Sequence, residues 1–207
     1  MHMIKNIIFD VGDVLLEYRW KDMLMDYGLS EAEAIRVGTL MFDDPLWRQL
    51  DYGKSEEEVI LEYQQKYPKD KEVTKWFITN GEYMHVKRED VWEKVHKLKQ
   101  MGYHLYILSN YSKDLFDKHT KGASFLEDMD GIVVSYQVNA IKPEKAIYDY
   151  LFETYQLSPQ ECFFLDDRLE NIEAAKELGM DGVQIKSREQ LLTLLDTLIE
   201  KKQQQGK

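Results

Sequence analysis

The chain has 207 residues, 43% of them hydrophobic, with only four prolines and eleven glycines. That is enough for one sizeable core domain plus a small accessory module, and too apolar for a disordered chain. A formal net charge of −11 argues against a nucleic-acid partner, because a phosphate backbone would be repelled, but leaves room for a small phosphorylated metabolite beside a metal ion that inverts the local field. No apolar run approaches the ~20 residues of a membrane-spanning helix, and the N-terminal stretch lacks a signal-peptide layout. No membrane partner is expected, and a cytoplasmic setting is. The single cysteine, Cys162, precludes an internal disulfide framework and fits a reducing compartment. Within CFFL it reads as a small buried hydrophobe rather than a nucleophile.

The opening MHM leaves open whether Met1 and His2 are an added leader ahead of a native start at Met3. The first predicted strand is KNIIF at 5–9. Residues 18–86 then form a block of helical or loop-like segments with no good strand, from RWKDMLMDYGL to DKEVTKWFITNGEYM. Strands follow at HLYIL 104–108, GIVVS 131–135, CFFLD 162–166 and GVQI 182–185. Helical apolar spacing fills 88–101, 112–119, 144–155, 168–178 and 188–200. SPQE at 158–161 and SREQ at 187–190 carry helix-start chemistry, the second as a capping box. The tail KKQQQGK is polar and expected to fray. Continuous apolar strands joined by helices predict an α/β fold, a doubly wound, Rossmann-like parallel sheet covered on both faces. Residues 1–17 and 87–207 are expected to form that core, and 18–86 an inserted all-helical module. The insertion follows the carboxyl end of a strand, the edge where open α/β sheets bind ligands, so it would cover the site.

Polar residues cluster after the strands. Asp10, Gly12 and Asp13 follow the first, Ser109 and Asn110 the second, Lys142 lies past the third, and Asp166 and Asp167 close the fourth. The doubly wound topology brings these strand ends to one edge. Two acidic clusters, a lysine and a hydroxyl suit a magnesium–phosphate site, since Mg²⁺ takes hard oxygens and the lysine and hydroxyl hold phosphoryl oxygens. Any one aspartate here could be a helix cap or a turn residue; the set at one sheet edge is the signal.

In this order, FDVGDVLL, LSN, the Lys142-Pro143 step and DDRLEN resemble the four motifs of the haloacid dehalogenase (HAD) superfamily, most of whose members are phosphatases. FDVGDV, LSN, KPEKAIY and FFLDDRLENIEAA are most similar to its bacterial sugar-phosphatase branch acting on α-D-glucose 1-phosphate. The insert resembles that family's small mobile cap. The resemblance implies a Mg²⁺-dependent phosphatase for a small phosphomonoester. Asp10 would be the nucleophile that forms an aspartyl-phosphate. Ser109 and the Asn110 amide would hold the phosphoryl group, and Lys142 would screen Asp10 from its charge. Asp10, the Gly12 carbonyl and Asp166 would bind Mg²⁺, with Asp167 a second-layer or water-mediated ligand and Asn171 a brace for the fourth loop.

The chain departs from the family at one position. HAD phosphatases usually carry a second aspartate two residues after the nucleophile, as general acid and base, and here that position is Gly12. The sugar-phosphatase branch also has glycine there. Asp13 could supply the proton, or could only shape the turn. Two other functions compete: a 2-haloacid dehalogenase using Asp10 on carbon without metal, although that branch carries a bulky aromatic in place of Gly12, and a non-catalytic binder of a phosphorylated metabolite. Trp20, Trp47, Arg48 and Tyr52 are weaker candidates for facing substrate. The histidines have no metal-ligand spacing. A monomer and a homodimer are both open.

Overall fold

The computed structural model describes residues 3–205, so Met1 and His2 lie outside the described residues. Five parallel strands form the central sheet in the order β5-β4-β1-β6-β7: β1 (Asn6–Phe9), β4 (His104–Ser109), β5 (Gly131–Val134), β6 (Cys162–Asp166) and β7 (Asp181–Gln184). Because successive side chains of a strand point to opposite faces, β1 sends Ile7 and Phe9 into one layer and Ile8 into the other. The first layer is closed by α6 (Glu89–Gln100) and α11 (Arg188–Gln205) through Val91, Val95, Leu191 and Leu195. The second is closed by α9 (Lys145–Tyr155) and α10 (Leu169–Glu177) through Ile147, Leu151, Ile172 and Ala175. α7 (Lys113–Thr120) and the short α8 (Ser135–Val138) follow β4 and β5. Among the described residues no helix is long and apolar enough to cross a membrane.

Residues following β1 form β2 (Leu16–Tyr18), α1 (Trp20–Asp26), α2 (Glu31–Asp43), α3 (Pro45–Asp51), α4 (Glu56–Lys66), α5 (Lys71–Thr79) and β3 (His85–Lys87). The helices bury their own apolar cluster, with Met23, Val37, Leu50, Tyr63 and Phe77 at its centre. Their starts are written in the sequence: Ser30 and Glu33 form a reciprocal capping box, and Ser55 caps α4 above three glutamates. Asp44 caps α3 with Pro45 in its first turn, and Gly53 at φ +93° takes the left-handed turn that ends it.

Four local expectations differ from the structure. The segment expected to lack strands is closed at its base by β2 and β3, which pair antiparallel. SPQE starts no α-helix; Pro159–Glu161 is a single 3₁₀ turn running directly into β6. In SREQ only half the capping box forms, because Ser187 Oγ accepts from the Gln190 amide while the Gln190 side chain accepts from Lys186 N. The tail does not fray at Lys201; α11 continues to Gln205, with Leu191, Leu195 and Leu198 anchoring it to the core, and Gly206 and Lys207 lie outside the described residues.

Candidate active site

Parallel pairing sets Phe9 level with Ile107 of β4 and Leu165 of β6, so the next residue, Asp10, emerges beside the ends of both neighbours. Its amide still bonds the Leu165 carbonyl at 2.9 Å. Asp10 Oδ1 receives three donors: the Val11 amide at 2.7 Å, Ser109 Oγ at 2.5 Å and Lys142 Nζ at 2.9 Å. No hydrogen bond reaches Oδ2 among the described residues. One oxygen is thus held and the other is free. The Asn110 side chain clamps Lys142 by its backbone, donating to its carbonyl at 2.9 Å and accepting from its amide at 2.8 Å. Lys142, only 3% exposed, then reaches both Asp10 and Asp166 Oδ2, the latter at 2.6 Å. Burial alone would pull its ammonium down, but the two carboxylates outweigh that and raise it, so it stays charged.

Asp166 is fully buried and held by the Arg168 amide at 2.8 Å and by Asn171 Nδ2 at 2.9 Å. Carboxylate oxygens of Asp10, Asp166 and Asp167 lie within 4.8 Å of one another. Burial, then the neighbouring Asp10 and Asp166 charges, push the Asp167 carboxyl up to about 8; burial likewise raises Asp10, against the pull of Lys142. Three converging carboxylates with one lysine leave an excess of negative charge, the situation a cation relieves. Asn171 Oδ1 is also buried without a hydrogen-bond partner. The hard-oxygen donor set therefore fits a magnesium ion.

A family model of haloacid dehalogenase-like hydrolases matches residues 4–179. The chain belongs to that family. It is 27% identical over 194 residues to the D-ribitol-5-phosphate phosphatase of Bacteroides thetaiotaomicron, covering 88% of this chain and 92% of that one. It is 36% identical over 87 residues to mouse bifunctional epoxide hydrolase 2, of whose length it spans 16%. A HAD family enzyme from B. thetaiotaomicron, solved with magnesium and inorganic phosphate, superposes with a TM-score of 0.70 at 24% identity, covering 89% of this chain and 96% of that one. That likeness is one of fold.

Within this HAD hydrolase the loop after β1 is fixed from outside. Arg88 donates to the Asp13 carbonyl at 2.6 Å and Trp92 Nε1 to the Leu15 carbonyl at 2.7 Å. Asp13 sits at φ +51° and accepts the Tyr18 amide at 2.9 Å, the work of a turn residue. At Gly12 the constraint is steric. A Cβ there would lie 2.4 to 2.7 Å from the Tyr18 ring, and that ring is packed against Tyr111 and His119. Tyr18 fills the volume a second aspartate would use. Gly12→Ala is therefore expected to destabilise the fold by about 1–3 kcal/mol through overpacking. In a double-mutant cycle read by urea denaturation, adding Tyr18→Ala should remove most of that penalty; additive losses would mean that Tyr18 does not set it.

The site opens into a cavity of about 550 Å³ between the sheet edge and the helical insert. Asp10, Gly12, Ser109, Asn110, Lys142, Asp167 and Asn171 line it from the core, whereas Asp166 is buried beneath it. Trp20, Trp47 and Arg48 line it from the insert; Tyr52 does not, and instead bonds Glu144. Both tryptophans also pack on Phe42, so their core and cavity roles coexist. Arg48 makes no ion pair among the described residues. The cavity also takes Asp51 and His119, which sequence reasoning left out. His119 Nε2 donates to the Gly81 carbonyl at 2.8 Å, leaving Nδ1 to accept from Tyr111 at 3.1 Å. Burial pulls its imidazole down to about 4, so it is a neutral wall and not a base at pH 7. Cys162 is buried at the start of β6 and is not among the residues lining the cavity, its thiol pushed up to about 11 by burial.

Proposed function

We propose that this HAD hydrolase is a Mg²⁺-dependent phosphatase of a small phosphomonoester, in the sugar- or polyol-phosphate class, working through an aspartyl-phosphate on Asp10 in the cytoplasm. The observation that carries the reading is the asymmetry of Asp10, a residue lining the cavity, with Oδ1 tied to three donors and Oδ2 without a hydrogen bond among the described residues. A carboxylate fixed by one oxygen presents the other for in-line attack on phosphorus. Ser109 Oγ, the Asn110 amide and Lys142 Nζ supply donors and charge for the phosphoryl oxygens, which gain little covalent help and much electrostatic help in such a transfer. Asp10, Asp166 and Asp167, with the Gly12 carbonyl, would hold the magnesium. When bound, that ion neutralises the carboxylate cluster and lets an anionic substrate approach. Residues 18–86 would act as the cap, excluding water and reading the leaving group through Trp20, Trp47 and Arg48. The phosphatase named among the chain's relatives supports the class of substrate.

The test is phosphate release from a panel of sugar and polyol phosphates, α-D-glucose 1-phosphate and D-ribitol 5-phosphate included, with Mg²⁺ and with chelator. Mg²⁺-dependent release from at least one member is expected, together with a rise in melting temperature on adding Mg²⁺, since a ligand that binds only the folded state stabilises it. Halide release from 2-haloacids without metal would favour the dehalogenase reading instead. Metabolite binding without turnover would favour a non-catalytic binder.

A further inference from the structure

With Gly12 unable to donate a proton and Asp13 occupied in its turn, the leaving group needs another acid. Of the carboxylates lining the cavity, Asp10 and Asp167 belong to the core-side cluster that fits a metal ion, and Asp43 is exposed on the end of α2. Asp51 belongs to neither group. It is the last residue of α3, half-buried, enters the cavity from the insert side, and its carboxylate makes no hydrogen bond among the described residues.

Its backbone, by contrast, is fixed to the core. Ser135 Oγ, fully buried, donates to the Asp51 carbonyl at 2.6 Å and accepts the Tyr111 amide at 3.0 Å. That single hydroxyl ties Asp51 to the segment immediately after Ser109 and Asn110. The two residues that follow repeat the attachment. Tyr52 bonds Glu144, two residues past Lys142, and Gly53 lies against Tyr136, where an added Cβ would come within 3.3 Å of the backbone carbonyl. The insert is thus pinned at one place to the loops bearing the phosphate-holding residues, and the residue at the pin carries a free carboxylate.

Resting on the phosphatase reading above, we propose that Asp51 is the general acid that protonates the leaving oxygen, replacing from the insert the group that Gly12 lacks in the core. As Asp10 Oδ2 bonds to phosphorus, the phosphorus–leaving-oxygen bond breaks, its electron pair stays on that oxygen, and the oxygen takes the Asp51 proton and departs as a neutral alcohol. In the second step water's oxygen bonds to phosphorus, one of its protons passes to the Asp51 carboxylate, and the pair of the breaking Asp10–phosphorus bond returns to Asp10. The surroundings suit a carboxyl that exchanges a proton near neutrality: burial pushes Asp51 up to about 7, with Lys142 and Arg168 pulling down, Asp10 pushing up and Arg48 pulling down.

The test compares the first turnover of wild type, Asp51→Asn and Asp13→Asn with Mg²⁺ on two substrates. One is p-nitrophenyl phosphate, whose leaving phenolate needs no protonation; the other is the alkyl phosphate that wild type turns over fastest in the panel. Asp51→Asn is expected to slow the first release of alcohol by roughly 10²–10⁴-fold while releasing one enzyme equivalent of p-nitrophenolate within about threefold of the wild-type rate. Asp13→Asn, whatever it does to the loop, should change both by the same factor. Equal losses on the two substrates in Asp51→Asn, or a selective loss in Asp13→Asn, would overturn the assignment. A wild type that releases neither alcohol nor p-nitrophenolate would instead remove the phosphatase reading on which it stands.

Discussion

Asp10→Asn is expected to lower phosphate release by roughly 10⁴–10⁶-fold, the scale seen when a covalent nucleophile is deleted, in a protein that remains folded. Asparagine keeps an oxygen in the place of Oδ1 to accept from Val11 and Ser109, so the loop geometry survives, but an amide nitrogen cannot attack phosphorus. The variant also removes one of three clustered carboxylates. Burial and the nearby Asp166 both oppose ionisation of Asp10 in the native site. Its stability without metal should therefore be no lower than that of wild type, an instance of an active site trading stability for function. Thermal melts in chelator, beside rates across the substrate panel, check both halves. A variant retaining more than a few per cent of the wild-type rate would exclude Asp10 as the nucleophile.

The legibility of this fold follows from burial. Strands of a sheet covered on both faces are uninterrupted apolar runs, and each of the five runs read from the sequence falls on a strand of the sheet, within a residue or two at either end. β2 and β3 escaped because each is three residues long, largely half-buried or exposed, and so has no periodicity to detect. SPQE misled because Ser-Pro with a following acid is local chemistry that starts either an α-helix or a 3₁₀ turn; the β-branch-free but strongly apolar CFFLD immediately after it decides the matter by joining the sheet.

At the site the same division holds. Asp10, Ser109 and Asp166 were readable as a set because each stands at the carboxyl end of a strand or just beyond it, with Lys142 in the connection that follows β5, and a doubly wound sheet has only one such edge. Asp51 was not readable. In LDYG it is one acid near the end of a short helix before a glycine, in a segment rich in exposed acids. What distinguishes it is tertiary: the Ser135 hydroxyl, more than eighty residues away, that brings its backbone to the loop after β4. The volume at Gly12 was equally hidden, since nothing in FDVGDVLL states that the Tyr18 ring folds back over it.

Lys142→Met should destabilise the protein by about 3–5 kcal/mol, the range for removing one partner of a buried ion pair. Among the described residues Lys142 Nζ is the only ammonium within contact of both Asp10 and Asp166, at 2.9 and 2.6 Å, and all three groups are buried. Methionine matches the length of the stem but leaves two buried carboxylates facing each other without a counter-charge. The native protein would then hold the pair only by taking up a proton, which pushes Asp10, already raised by burial, further above its unfolded value. The sign follows: carboxyls raised on folding add stability below the unfolded pKa and lose it as pH rises through the folded one, which makes the variant's deficit larger at pH 8 than at pH 5. Lys142→Arg would not restore the site, because a planar fork cannot replace a compact ammonium seated between two oxygens 2.6 and 2.9 Å away. Urea denaturation at the two pH values, in chelator, measures the effect. A deficit below about 1 kcal/mol at both would mean that the lysine contributes no more than a surface ion pair, and the carboxylate cluster would then need another source of neutralisation within the protein.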